Sequence, residues 1–244
     1  YEFMSSDWSS DVCSSDLASN DLVYVYGLCQ RQQAPNTLPL GLAQETQLIS
    51  VDDIAVVVEY GIDLETLQAD DQRLLNAVLS HDRVVCDLFQ QGTVLPIRFG
   101  TQLASTEKLK EYIGNEYQTY LDKLQALDQK CEYQIKLQPE AITLPSSPDD
   151  LKGRAYFLAK KQRLKDQTVA QEQQHHELMS LFERIHQIFP NAVEATNEDG
   201  TAKVYILLDN DATSTLKHQA EQWQAEATYW NLSLSEALPP YHFV

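Results

Sequence analysis

Residues 22–29, Leu-Val-Tyr-Val-Tyr-Gly-Leu-Cys, are apolar on both alternating faces, which predicts a central strand covered on two sides. Residues 31–46 carry Pro35, Asn36, Pro39 and Gly41 and read as a loop. Residues 54–58, Ile-Ala-Val-Val-Val, form a second buried strand rich in β-branched side chains, ended by Gly61. Asp70 can cap a helix over 71–91, in which Leu74, Val78, His81, Val85 and Leu88 recur at steps of four and three and mark a core-facing seam. Gly92 stops it. Residues 93–100 predict a third strand, and Pro96, lacking a backbone donor, places that strand at a sheet edge or starts its pairing just after the proline. A helix from Ser105 or Thr106 to about 128 follows, its face marked by Leu109, Ile113, Tyr117, Tyr120, Leu124 and Leu127.

In the second half, Cys131, Tyr133, Ile135 and Leu137 alternate with Glu132, Gln134, Lys136 and Gln138, a strand with one wet or lightly covered face. Ser147-Pro148-Asp149-Asp150 resembles a capping box and opens a helix that can run to Phe189 before Pro190. With no Gly or Pro between 154 and 189, a continuous helix is favoured over a hairpin. Its middle, 165–177, has only Val169 and Ala170 as apolar residues and should project into solvent or lie on a neighbour. Residues 193–198 and 203–209 flank Asp199-Gly200, a hairpin signal. Leu216, Ala220, Trp223, Ala227 and Trp230 mark one face of a helix from about Thr213, and 231–237 can be a last strand. The order strand, helix, strand, strand, helix, strand is the split βαβ order of a ferredoxin-like domain. The expected fold is therefore α+β with two domains: 21–128, an N-terminal α+β domain of no named order, and 129–238, a modified ferredoxin-like (βαββαβ) domain with a long helix. Residues 239–244 are a C-terminal tail.

Residues 1–20 contain Ser-Ser-Asp three times with no hydrophobic period, and Glu2-Phe3 before Met4 reads as a cloning scar. The expectation is a non-native or disordered leader outside the fold. The chain has 244 residues, 36 Asp+Glu against 18 Lys+Arg and a formal charge of −18. Excess acid repels phosphate backbones and anionic headgroups, which argues against nucleic-acid and membrane partners and for solubility. Cys13, Cys29, Cys86 and Cys131 lack metal-ligand spacing, and the last three lie in apolar runs. They read as buried hydrophobes in a reducing, cytoplasmic protein.

The chemistry-bearing residue types form no catalytic constellation. Scattered glycines exclude a phosphate loop. His175 and His176 are neighbours on a polar helix, about 100° apart, and read as solvated surface. His81, on the apolar seam, reads as a core histidine with a backbone or carboxylate partner rather than a base. The pairs Asp52-Asp53, Asp70-Asp71 and Asp149-Asp150 fall at element starts and read as caps, as does Asp209-Asn210-Asp211. Residues 203–208, Lys-Val-Tyr-Ile-Leu-Leu, do not match the aromatic platform of an RNA-binding ferredoxin-like module. The expectation is no enzyme, with no catalytic, cofactor-binding or metal-binding residues. The alternative is a ferredoxin-like small-molecule or cofactor-binding enzyme with its site in a cleft between sheet and helices.

Three segments together resemble the gas vesicle protein F/L family (GvpF/GvpL). Residues 93–101, Thr-Val-Leu-Pro-Ile-Arg-Phe-Gly-Thr, are similar to its Pro-hydrophobic-Arg-Phe-Gly-Thr signature. Residues 153–158, Gly-Arg-Ala-Tyr-Phe-Leu, followed by Lys160 and Lys161, resemble its Gly-Arg-Ala-Tyr-Leu segment with Phe157 in place of Leu. The ending 239–244, Pro-Pro-Tyr-His-Phe-Val, is similar to its Pro-Pro-Tyr-x-Phe terminus. The resemblance spans 21–244. It implies a minor structural and assembly protein of gas vesicles, located in the cytoplasm and the gas vesicle. The implied partners are the small hydrophobic (GvpA-like) shell protein and other minor gas vesicle proteins, with no cofactor. Contact would occur during nucleation or growth and limit shell-protein aggregation. The candidate contact residues are Arg98, Phe99, Tyr241 and Phe243. The competing reading of Arg98 and Phe99 is a buried ion pair and a core aromatic. For Tyr241 and Phe243 it is docking of the tail on its own chain.

Overall fold

The computed structural model describes residues 22–143, 153–197 and 199–244. The leader, the capping sequence 147–150 and the pair Asp149-Asp150 lie outside the described residues. Two compact units are present, one comprising 22–131 with 238–244 and the other 132–237.

In the first unit, β1 (Val23–Gln30) is the buried central strand that its two apolar faces require. It pairs antiparallel with β3 (Ile54–Tyr60), which pairs with β2 (Gln47–Val51). On the other side of β1 lie two short strands, β4 (Leu95–Pro96) and β5 (Gln102–Leu103), so the path β2-β3-β1-β4 puts Pro96 at an edge, as its missing donor demands. The continuous strand expected over 93–100 is interrupted: residues 97–101 turn away between β4 and β5. β2 is the strand that periodicity misses, because Gln47 and Ser50 are exposed and only Ile49 is buried. Asp52-Asp53 lies in the β2–β3 turn, with Asp52 at φ 50°, and so does not cap a helix. At Gly27, a Cβ would lie 2.9 Å from Val94 Cγ2 and 3.1 Å from the Leu95 carbonyl, so β4 approaches β1 only because that side chain is absent.

Around this sheet are α1 (Leu64–Gln68), α2 (Asp71–Phe89), α3 (Thr106–Asn115) and α4 (Tyr117–Ala126). Asp70 caps α2 through the Arg73 amide, 2.8 Å away. The buried seam of α2 is Ala77, His81, Val84, Val85 and Leu88; Val78, expected on it, faces outward with Leu75 and Leu79. The single helix expected to about 128 breaks at Glu116, after Gly114 and Asn115, two poor helix formers.

The second unit carries β6 (Lys130–Pro139), α5 (Arg154–Ile188), β7 (Val193–Thr196), β8 (Ala202–Asp209), α6 (Thr213–Glu226) and β9 (Trp230–Leu234). The sheet order is β7-β8-β6-β9, the arrangement of a split βαβ fold. Over its described span α5 is continuous, held to the unit by Leu178, Leu181, Phe182 and Ile185. The β7–β8 turn has Gly200 at φ 79°. Two expectations change. Glu132, assigned to a wet face, is buried. Trp230 leaves the helix face, because Ala227 is extended (φ −73°, ψ 131°), and its indole donates to the Gln174 carbonyl at 2.9 Å.

Candidate functional site

The turn at 97–101 is built on polar groups buried in the first unit. Tyr24 and Tyr26 project from β1, Tyr26 at a register shift between Val25 and Gly27, and meet His81 of α2. His81 Nε2 lies 3.0 Å from the Ile97 carbonyl, which can only accept, so Nε2 carries the proton. Burial holds the imidazole neutral by lowering its pKa to about 4, partly countered by the Ile97 bond. Nδ1 is therefore an acceptor, and the Tyr24 hydroxyl donates to it at 2.8 Å. The Gly100 amide in turn donates to the Tyr24 oxygen at 3.2 Å, from a backbone with φ +87° that favours glycine. The Thr101 amide and hydroxyl close the turn on the Arg98 carbonyl. Pro96, Gly100 and Thr101 of the signature thus each have a local structural reason.

Glu59 forms the second half of this network. It is fully buried on β3 and takes the Tyr26 hydroxyl at 2.5 Å, the amides of Leu42 at 2.7 Å, Ala43 at 2.8 Å and Gln44 at 2.7 Å. A buried carboxylate is tolerable only with such partners. The 41–44 loop wraps so tightly that a Cβ on Gly41 would lie 2.0 Å from Glu59 Oε2. This constellation was missed from sequence; the available signal was one acid closing an apolar strand, with a Gly-containing loop upstream.

Phe99 packs edge-on against His81, centroids 5.7 Å apart, and joins the hydrophobic cluster of Tyr26, Val57, Val85 and Leu88. Arg98, read as a buried ion pair, is exposed and pairs with no other described side chain. Its neighbours point inward while the guanidinium stays in water. Tyr241 packs against the same cluster as Phe99, and its hydroxyl donates to Asp82 of α2 at 2.6 Å. Burial and that carboxylate raise its pKa. Pro239 and Pro240 are buried, while Phe243 is half-buried with its amide on the Pro240 carbonyl. The structure thus gathers Phe99 and Tyr241 on one cluster and leaves Arg98 outward.

His81 is the core histidine its position predicts. With both nitrogens engaged and its basicity suppressed, it has no free lone pair for substrate. Among the described residues no three or more His, Cys, Asp or Glu gather as metal ligands, and no helix is long and apolar enough to cross a membrane. The second unit has an open groove of about 860 Å³ between α6 and β9, lined by Ala220, Gln224, Leu232 and Leu234 with Lys217 and Glu221 at hand. Cys29 and Cys131 are buried and Cys86 is half-buried; all three are free thiols.

Residues 22–244 match the family model described as gas vesicle synthesis protein GvpL/GvpF. Gas vesicle protein F of Streptomyces sp. (strain CB03234) is 24% identical over 184 residues, covering 68% of this chain and 76% of the relative. The crystal structure of GvpF from Anabaena sp. PCC7120 superposes with a TM-score of 0.64 at 17% identity, over 91% of this chain and 95% of that one. GvpF from Microcystis aeruginosa gives 0.66 at 16% identity, over 91% and 98%.

Proposed function

The chain belongs to the gas vesicle synthesis protein GvpL/GvpF family, and from that premise we propose that it is an assembly protein. In this reading it contacts the small hydrophobic shell protein during nucleation or growth of the vesicle and limits its aggregation. The family match across 22–244 is the observation that carries this. The physical argument is complementary. A subunit destined for a gas-facing wall exposes apolar surface before assembly, and a partner of charge −18 that covers part of it keeps the pair in solution. The role is structural rather than catalytic, in the cytoplasm and at the vesicle.

For the contact surface we propose the 97–101 turn and the tail, with Arg98 and Phe243 reaching the partner and Phe99 and Tyr241 holding the surface in shape. Arg98 supports this because the fold spends no described ion pair on it. Affinity purification of the tagged chain from vesicle-forming cells should retain the shell protein. Loss of that retention with Arg98→Glu, in a protein that still melts normally, supports the surface. No shell protein in the eluate counts against the function itself.

A further inference from the structure

The charges of this acidic chain are unevenly placed. Residues 154–165, the start of α5, contain Arg154, Lys160, Lys161, Arg163 and Lys165 and no acid, although the chain has 18 Lys+Arg in all. The same stretch exposes large apolar groups: Phe157 is 71% exposed, Leu158 59%, Leu164 58% and Tyr156 46%. The buried residues of α5 begin only at Leu178, and its hydrogen bonds to the rest of its unit begin at Gln173. About 24 Å of helix before Ala170 therefore has almost no cover from the described residues. An aromatic, basic, uncovered helix end is costly to keep in water without a purpose.

The first unit carries the opposite pattern. Residues 63–71, spanning α1 and the start of α2, contain Asp63, Glu65, Asp70 and Asp71 and no base, all exposed. One turn on, Leu75, Val78 and Leu79 stand 52%, 39% and 58% exposed at the i, i+3, i+4 spacing of one helix stripe. Arg73 lies about 160° around the helix from Leu75, off this stripe. Apolar residues rimmed by acid thus occur on one exposed helix face, and apolar residues rimmed by base on another.

We propose that the start of α5 in one copy docks on the α1–α2 face of a second copy. Charge complementarity selects the occupant. Outside 154–165 the chain is strongly acidic, so a second copy offers both the opposite sign and an apolar stripe to cover. The contact joins two different patches, so it either closes reciprocally about a two-fold axis or runs head to tail into a ring or filament. It is independent of shell-protein binding.

Sedimentation equilibrium of the purified chain tests it. At ionic strength of about 0.01 M, where charges reach ~30 Å, the average mass should rise with protein concentration, and it should fall back as salt is added. K160E/K161E/R163E and, separately, E65K/D71K should each weaken self-association by about tenfold or more. Asp63 and Asp70 are left intact because they cap α1 and α2. An equimolar mixture of the two variants should associate again, because the wild-type pair of faces and the charge-reversed pair are both complementary. A chain carrying both sets should self-associate again. As a check free of folding effects, zero-length carbodiimide crosslinking of mixed ¹⁴N and ¹⁵N wild-type chains should join Lys160 or Lys161 to Glu65 or Asp71 between isotopes. A wild-type monomer at every concentration overturns the proposal, as do variants that associate like wild type, crosslinks confined to one isotope, or a monomer that instead sediments with anionic lipid vesicles.

Discussion

Replacing Gly41 by alanine inserts one methyl group where the fold has no space. The new carbon would lie 2.0 Å from Glu59 Oε2, 2.7 Å from Glu59 Cδ and 2.9 Å from the Gln44 carbonyl. A carbon–oxygen contact needs more than 3 Å, so the carboxylate must retreat by about 1 Å, and every bond at Oε2 stretches beyond hydrogen-bond range. Those bonds are from the Tyr26 hydroxyl at 2.5 Å and the Leu42 amide at 2.7 Å. Charge-assisted bonds are worth about 1.5–3 kcal/mol each when a buried partner is left behind. The loss is therefore about 3–6 kcal/mol, offset by about 0.4–1 kcal/mol from the stiffer unfolded chain. At about 4 °C per kcal/mol, the first unit should melt about 10–20 °C lower. Thermal denaturation followed by circular dichroism reads the midpoint, and hydrogen exchange reads the amides of Leu42, Ala43 and Gln44, which should lose protection first. Glu59→Gln should produce the same pattern through a different atom, since an amide NH₂ cannot accept from the loop. A Gly41→Ala protein melting within about 2 °C of wild type, with those amides still protected, refutes the network as a source of stability.

His81 supplies a pH dependence: its pKa falls from 6.5 unfolded to about 4 folded because burial disfavours the cation. The stability it contributes is complete above pH 6.5 and is lost as pH falls toward 4, about 3 kcal/mol in all; urea titrations should show this slope in wild type and a shallower one in His81→Gln. Arg98→Glu should change unfolding free energy by less than about 0.5 kcal/mol, because the side chain is exposed, while lowering shell-protein retention in pull-downs. Tyr241→Phe should cost about 1 kcal/mol through the lost bond to Asp82, and deletion of 239–244 should cost more by uncovering the cluster under Tyr241; chemical denaturation measures both.

The parts of the fold that announce themselves in sequence are those whose burial is regular. β1 and β3 are apolar on both faces, α2 repeats at helical spacing, and the β7–β8 hairpin carries its glycine. The βαββαβ order follows from such local signals alone. β2 escapes them because an edge strand with one buried residue alternates too weakly. The α3–α4 break depends on a single residue, Glu116, and Trp230 on where α6 unwinds, both matters of one backbone angle. The Glu59 cradle is a different kind of miss, since its partners lie 15–17 residues away in a loop and 33 away on β1. Arg98 shows the limit of residue-type priors: in a chain so acidic a buried pair is the natural expectation, yet the turn aims its neighbours inward and leaves the guanidinium in water.

The central claim is contact with the shell protein while the wall is being made. Crosslinking mass spectrometry on growing vesicles tests it most directly, because it identifies partner and face together. The account predicts crosslinks between the shell protein and this chain, concentrated near residues 97–101 and 239–244 in early particles. Abundant crosslinks to other proteins, with none to the shell protein at any stage, would contradict it.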